Sequence, residues 1–224
     1  MIGIAITTRN RPEVLRYSLS KFAKFYDEDQ LIVVIDDNSV NHEENEQIAY
    51  DHGVTYLYNE ERMGIPGTKN KGFELLRETC DHQFWFDDDC FPKCDDWTEP
   101  FIEAMEYQGH ILYLRDWAHI RPILRVKDLT EYSGATACLM TFKESMYNDV
   151  TGFSDGYSMY GKWHPDLTSK MFDRGHNLVK YGSLFQIERY IYAFDIDGPP
   201  FDFDFVFASC MSEAERKREG KKGR

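Results

Sequence analysis

Three consecutive carboxylates, Asp87-Asp88-Asp89, follow directly on the apolar run Gln83-Phe84-Trp85-Phe86. A short apolar run that ends abruptly in acid reads as a buried strand whose carboxyl end opens into a polar site. Three adjacent negative charges repel one another unless positive charge sits among them. Carboxylate oxygens suit hard divalent ions, and Mg²⁺ is commonly held by one or two carboxylates together with phosphate oxygens. The triplet therefore predicts Mn²⁺ or Mg²⁺ among these carboxylates, bridging to a phosphate, most simply that of a nucleotide. The competing explanation is a solvated acidic turn.

The elements that must position these residues follow from hydrophobic periodicity. Residues 2–6, 30–35, 54–58 and the aromatic run before the triplet are strand-like. A helix is expected after Pro12, where Val14, Leu15, Leu19, Phe22 and Phe25 keep helical spacing. A polar helix over 43–52 and an amphipathic one over 69–79 separate the later strands, with residues 59–68 as a Gly/Pro-bearing loop. This alternation predicts an α/β fold with a Rossmann-like, mostly parallel central sheet flanked by helices. Ligands in such sheets bind beyond the carboxyl ends of the strands. The polar segments 7–11, 36–39, 59–67 and 87–89 all fall there. The second half is less regular. Strands are expected over 110–114, 122–126, 133–142 and 177–181, a loop over the site at 148–160, and a helix over 166–174 stopped by Gly175.

With 224 residues, 42% hydrophobic and 15% aromatic, the chain has the material for a packed core and is not disordered. A net charge of −13 argues against a nonspecific polyanion binder. Cys80, Cys90, Cys94, Cys138 and Cys210 form no paired CxxC pattern, so reduced thiols are expected and zinc is not. The chain runs straight into a strand and holds no apolar stretch near the ~20 residues that span a bilayer. A soluble, cytoplasmic protein without stable membrane insertion is expected. Residues 211–224 carry six Lys/Arg against three Glu and form a charged C-terminal tail after a single domain over 1–210.

Laid out this way, the N-terminal half resembles the inverting nucleotide-sugar glycosyltransferases of the GT-A fold, family 2. The segment 4–11, with Thr7, Thr8, Arg9 and Arg11, resembles the stretch that cradles base and ribose. Asp36-Asp37-Asn38-Ser39 is similar to the family's second-strand element, whose aspartate contacts base or ribose. Asn59, Arg62, Gly64 and Gly67, followed by Lys69-Asn70-Lys71-Gly72, resemble the stretch beside the diphosphate. Asp87-Asp88-Asp89 falls where the family has its DxD metal motif, which implies donor contacts from Asp87 and Asp88 and metal ligation by Asp87 and Asp89. The residue types suit these tasks. A carboxylate such as Asp37 accepts from both ribose hydroxyls, Lys69 and Arg62 neutralise phosphate, and glycines let backbone approach a ligand.

The resemblance implies a nucleotide-sugar-binding half over 1–95 and a smaller acceptor-binding subregion over 96–210. Thr151-Gly152-Phe153-Ser154-Asp155 and the segment 163–170 are similar to the acceptor-side motifs. Where the family's catalytic Asp is expected, the register gives His164, with Asp166 two residues on. Either could be the general base, and His164 could instead ligate the metal; Asp166 could equally cap a helix. Phe153, Tyr157, Tyr160 and Trp163 offer a stacking wall. The implied activity is hexosyl or pentosyl transfer from a nucleotide-diphosphate sugar to a hydroxyl acceptor: a cell-surface glycan, a lipid-linked sugar or a hydroxymethylated DNA base. Arg115, His119, Arg121, Arg125 and Lys127 make a local basic segment suited to phosphates. The competing functions are a nucleotidyltransferase, disfavoured because residues 7–12 lack glycine, and a non-catalytic cation- or sugar-binding module. The oligomeric state stays open.

Overall fold

The computed structural model describes residues 1–116, 119–146, 149, 152–154 and 163–197. The expected tail over 211–224, Cys210, Tyr157 and Tyr160 lie outside the described residues, as does the side chain of Trp163. The chain begins β1 (Ile2–Thr8), α1 (Pro12–Phe22), β2 (Gln30–Asp36), α2 (His42–Asp51), β3 (Thr55–Tyr58), α3 (Gly64–Leu76), β4 (His82–Asp87) and β5 (Cys90–Pro92). It continues through α4 (Glu99–Met105), β6 (Pro122–Val126), β7 (Leu129–Tyr132), β8 (Leu139–Lys143), α5 (Trp163–Asp173), β9 (Gly182–Leu184), β10 (Ile191–Ala193) and α6 (Phe194–Asp197).

The central sheet has the order β3-β2-β1-β4-β8. β1 to β4 are mutually parallel, and β8 adds an antiparallel edge beside β4. Side chains alternate along each strand, so one strand feeds two cores. Ile4, Ile6, Val34, Phe84 and Phe86 pack with Leu15 and Leu19 of α1 and with Trp97 and Phe101. Ala5, Val33, Ile35 and Trp85 face the other way, toward Phe73 and Leu76 of α3 and Leu167 and Met171 of α5. This is the α/β architecture that the alternation of runs implies. A separate antiparallel sheet, β6-β7-β9, and the β5–β10 ribbon form the smaller subregion. Among the described residues no helix is long and apolar enough to cross a membrane.

Three local expectations are corrected. The segment expected as a loop over 59–68 is helical from Gly64, because the Asp37 carboxylate accepts the N–H groups of Met63 at 2.7 Å and Gly64 at 3.0 Å and so caps α3. Residues 110–114 form no regular strand; they pair with β8 only at the isolated bridge Leu112–Met140. Residues 177–181 likewise give one bridge, Gln108–Asn177, and the strand starts at Gly182. Gly72, grouped with the diphosphate stretch on sequence, sits where α3 crosses the sheet. A Cβ there would lie 2.9 Å from Ile35 Cδ1 and 3.1 Å from Ala5 Cβ.

Candidate active site

Strand register brings the polar ends of β1, β2 and β4 level: Thr7 pairs with both Ile35 and Asp87, and Thr8 with Asp36. Asp88 is fully buried, and Thr8 Oγ1 donates to its Oδ2 at 2.6 Å. Arg11, at the end of the β1 loop, reaches across to the same carboxylate. Its Nε lies 3.3 Å from Asp88 Oδ2, its Nη2 pairs with Asp88 Oδ1, and its Nη1 pairs with Asp89 Oδ2 at 2.9 Å. On the other side the fully buried Lys69 of α3 places Nζ 2.8 Å from Asp87 Oδ1. Thr7 Oγ1 adds a donor 3.4 Å from that oxygen. The positive charge among the three acids is therefore supplied in part by the chain, through Arg11 and Lys69. Burial still dominates the protonation of Asp87 and Asp88. It pushes Asp88 up to about 7, with Arg11 pulling back, and raises Asp87 against the pull of Lys69.

A divalent ion fits this donor set in one way. Arg11 and Lys69 each engage a single oxygen of Asp89 and Asp87, so one oxygen of each carboxylate is left by these cations, whereas both Asp88 oxygens are engaged. Among the described residues no cluster of three or more His, Cys, Asp or Glu side chains could hold an ion alone. An ion at Asp87 and Asp89 would complete its shell with phosphate oxygens and water, as Mg²⁺ commonly does.

The other predicted donor-site residues surround this centre at different depths. Asp36 is fully buried: Oδ1 accepts the Ser39 N–H at 2.8 Å, and Oδ2 accepts from Asn45 Nδ2 at 2.7 Å and the Tyr56 hydroxyl at 2.9 Å. Its partners make it a support for the β2–α2 turn. Asp37 sits one residue nearer the edge and holds the start of α3, including Gly64 at φ +73°. Asn59 is buried, with Nδ2 3.4 Å from Thr68 Oγ1 and Oδ1 accepting from Lys71 Nζ at 2.6 Å. Arg62 is exposed and Arg9 half-buried.

The second half reaches the site through α5. His164, Leu167, Thr168 and Met171 are buried, at the i, i+3, i+4, i+7 spacing of one helix face. His164 lies on that face. Burial first, then the Lys69 ammonium and then His110, hold its imidazole well below the usual range, so it is neutral at pH 7. Asp166, about 200° around the helix, belongs to another face. There it pairs with Lys170 Nζ at 2.8 Å and accepts from Ser154 Oγ at 3.3 Å. His164 and Asp166 thus face different ways, and His164 is the one on which the Lys69 ammonium bears.

Two polar bridges hold this arrangement. Asn70 of α3 accepts the Phe153 N–H at 2.7 Å and donates to the Phe153 carbonyl at 3.0 Å, seating the Phe153 ring 6.4 Å from His164. Gly152 is at φ +84°, and a Cβ there would come 2.3 Å from Asn70 Oδ1. Asn70→Ala orphans a buried N–H and is expected to cost about 1–3 kcal/mol in urea unfolding. The second bridge is His110. Its Nδ1–H donates to the Thr141 carbonyl of β8 at 2.9 Å, and its Nε2 accepts from Thr168 Oγ1 of α5 at 3.2 Å. Burial pushes His110 down to about 4. A depressed histidine stabilises fully above its unfolded value near 6.5, and that contribution is lost as pH falls from about 6.5 to about 4. The window is worth roughly 3 kcal/mol. Unfolding free energy measured across it should fall less steeply in His110→Gln than in the wild type by about this amount, the remaining slope including that of His164, whose imidazole is also held down by burial.

The sequence profile described as glycosyl transferase family 2 matches residues 3–160, most of the chain. The chain belongs to glycosyl transferase family 2. Among curated protein sequences, none matches it. Solved structures share its fold at low identity. The mannosyltransferase PcManGT from Pyrobaculum calidifontis, in complex with GDP-Man and Mn²⁺, is 18% identical with a TM-score of 0.63 over 83% of this chain and 55% of its own. S. aureus TarS in complex with UDP-GlcNAc is 11% identical with a TM-score of 0.62 over 86% of this chain and 58% of its own. The chain thus spans somewhat over half the length of these two proteins. Their likeness shows the GT-A fold.

Within this family 2 chain, sequence reasoning named the acids and both cations but paired none of them. Arg11 is 77 residues from Asp88, and nothing local signals the contact. In the sequence Asn70 stands out only as part of a motif, and His110 only as the start of a strand-like run. Two polar side chains facing buried carbonyls on different elements leave no periodic signature.

Proposed function

We propose that this family 2 chain transfers a sugar from a nucleoside-diphosphate sugar to a hydroxyl acceptor, assisted by Mn²⁺ or Mg²⁺ at Asp87 and Asp89. The observation that supports it is the meeting of Arg11 and Lys69 with the Asp87-Asp88-Asp89 triplet at the carboxyl ends of parallel strands, with the Lys69 ammonium also bearing on His164 of α5. A nucleoside diphosphate is the ligand class for which buried carboxylates and buried cations at one edge make sense together. The ion, when bound, supplies charge that stabilises the departing diphosphate. Lys69 and Arg11 add fixed positive charge on either side of the three acids. The bond from the anomeric carbon to the diphosphate oxygen breaks as the acceptor oxygen bonds to that carbon, and His164 takes the acceptor's proton. His164 suits this role because it is neutral at pH 7 and lies on the helix face turned to Lys69.

Thermal stabilisation by nucleoside diphosphates, with and without Mn²⁺, tests the donor side. A shift requiring both the nucleotide and Mn²⁺ is expected. Stabilisation by Mn²⁺ alone would point to a cation-binding module, and nucleoside triphosphates favoured over diphosphate sugars would point to nucleotidyl transfer. For the base, His164→Asn should lower kcat by about 10²–10⁴-fold, while Asp166→Asn stays within about tenfold. The reverse order would move the proton to Asp166.

A further inference from the structure

We propose that Cys90 and Cys138 are a site of reversible disulfide formation, through which hydrogen peroxide acts on the acidic triplet. The two are 48 residues apart in sequence, yet the Cys138 thiol donates to Cys90 Sγ at 3.4 Å. Both are free thiols, Cys90 fully buried and Cys138 partly exposed. The sulfurs of a disulfide lie about 2.05 Å apart, so this pair is about 1.4 Å from bonding distance. Cys80 belongs to the core on the other face of the sheet and is no rival for either sulfur.

The pair sits against the two acids to which the ion is assigned. Cys90 follows Asp89 directly, and the Cys138 carbonyl accepts the Asp87 N–H at 2.8 Å. The two ends are not equally free to move. Cys90 lies in β5, in register with Ala193 of β10, and its carbonyl accepts from Ser18 Oγ at 3.4 Å. Cys138 ends the irregular segment 133–138 that joins β7 to β8. Closure of the bond therefore draws the Cys138 side inward and disturbs the carbonyl that holds Asp87. Hydrogen bonds behind a ligating group commonly matter about 10- to 100-fold in metal affinity. That consequence rests on Asp87 and Asp89 being the ion's ligands; the disulfide itself does not.

The chemistry balances with peroxide as the oxidant. The Cys138 sulfur attacks hydrogen peroxide, water is released and a sulfenic acid forms. Cys90 Sγ then attacks that sulfur. The S–O bond breaks, the hydroxyl leaves with the Cys90 proton as a second water, and the S–S bond forms. Two electrons pass from the thiols to the peroxide, and a dithiol returns them by exchange.

The test treats the metal-free protein with hydrogen peroxide, maps cysteine linkages by mass spectrometry of the non-reduced digest, and follows thermal unfolding. A Cys90–Cys138 bond is expected, formed without denaturant and removed by dithiothreitol. Because it spans 48 residues, Tm should rise by about 5 °C or more. The Mn²⁺ concentration needed for stabilisation by nucleoside diphosphate should rise about tenfold or more and fall back on reduction. Cys138→Ala keeps the backbone carbonyl and should lose all three responses to peroxide. Peroxide that left both thiols free, stopped at a Cys138 sulfinic acid, or joined either to Cys80, Cys94 or Cys210 would overturn the proposal. A mapped Cys90–Cys138 bond with an unchanged Mn²⁺ requirement would overturn its action on the triplet. If the reduced protein showed no response to nucleotide with Mn²⁺, the transferase reading would fail, while the mapped bond and Tm still decide the disulfide.

Discussion

Arg11→Ala is expected to destabilise the fold by about 3–5 kcal/mol, the cost of removing one partner from a buried ion pair. Asp88 is fully buried and the Arg11 side chain only 14% exposed, so water cannot replace the guanidinium. Two of the Arg11 contacts described above go to Asp88, and the protein donor those contacts leave to that carboxylate would be the Thr8 hydroxyl at 2.6 Å. Burial already outweighs Arg11 in the protonation of Asp88, which shows how poorly solvated the site is. The measurement is urea unfolding of the metal-free, nucleotide-free protein. Arg11→Lys should recover little, because a point charge cannot reach both Asp88 oxygens and Asp89. The double variant Arg11→Ala/Asp88→Asn should recover much of the loss, because the uncompensated charge is gone. A single-variant loss below about 1 kcal/mol would mean the pair behaves as a screened surface contact.

That pair also marks the limit of what was legible in the sequence. The parallel sheet was readable because β1, β2 and β4 are buried on both faces and so appear as unbroken apolar runs. The Asp triplet was readable for the complementary reason: an apolar run that stops in charge has to stop at a sheet edge. The three acids do have positive charge among them, but local sequence offered a metal where the fold also brings Arg11 from the β1 loop and Lys69 from α3. The start of α3 was misplaced for the same reason, since its cap is Asp37, 26 residues upstream of Met63. Residues 110–114 looked like a strand and are buried like one, but their hydrogen bonds divide between β8 and Gly182. The separation of His164 from Asp166 needed the structure: the sequence starts the helix at 166, and only its observed start at Trp163 puts the two residues on one helix, two apart and so on different faces. What sequence could not decide was which of the two faces packs inward, and Leu167, Thr168 and Met171 settle that for His164.

Asp89→Asn is expected to lower transfer by about 10²–10³-fold in kcat with little change in stability. Asp89 is 4% exposed and gives one oxygen to Arg11 at 2.9 Å, a contact that an asparagine carbonyl keeps. Arg11 also retains Asp88, so the buried pair survives. What asparagine removes is the negative charge that would hold a divalent ion against a diphosphate. Two signatures separate that loss from a structural one. The variant should need a higher Mn²⁺ concentration for the same thermal response to nucleotide, and wild-type activity should vanish with a chelator and return with Mn²⁺. Asp87→Asn should behave differently, because it also leaves the fully buried Lys69 without its carboxylate partner and so lowers stability as well as rate. If chelated wild type transferred sugar at full rate and Asp89→Asn stayed within about threefold of it, the ion would be dispensable. Arg11 and Lys69, already seated among the three acids, would then be the charges that stabilise the departing diphosphate.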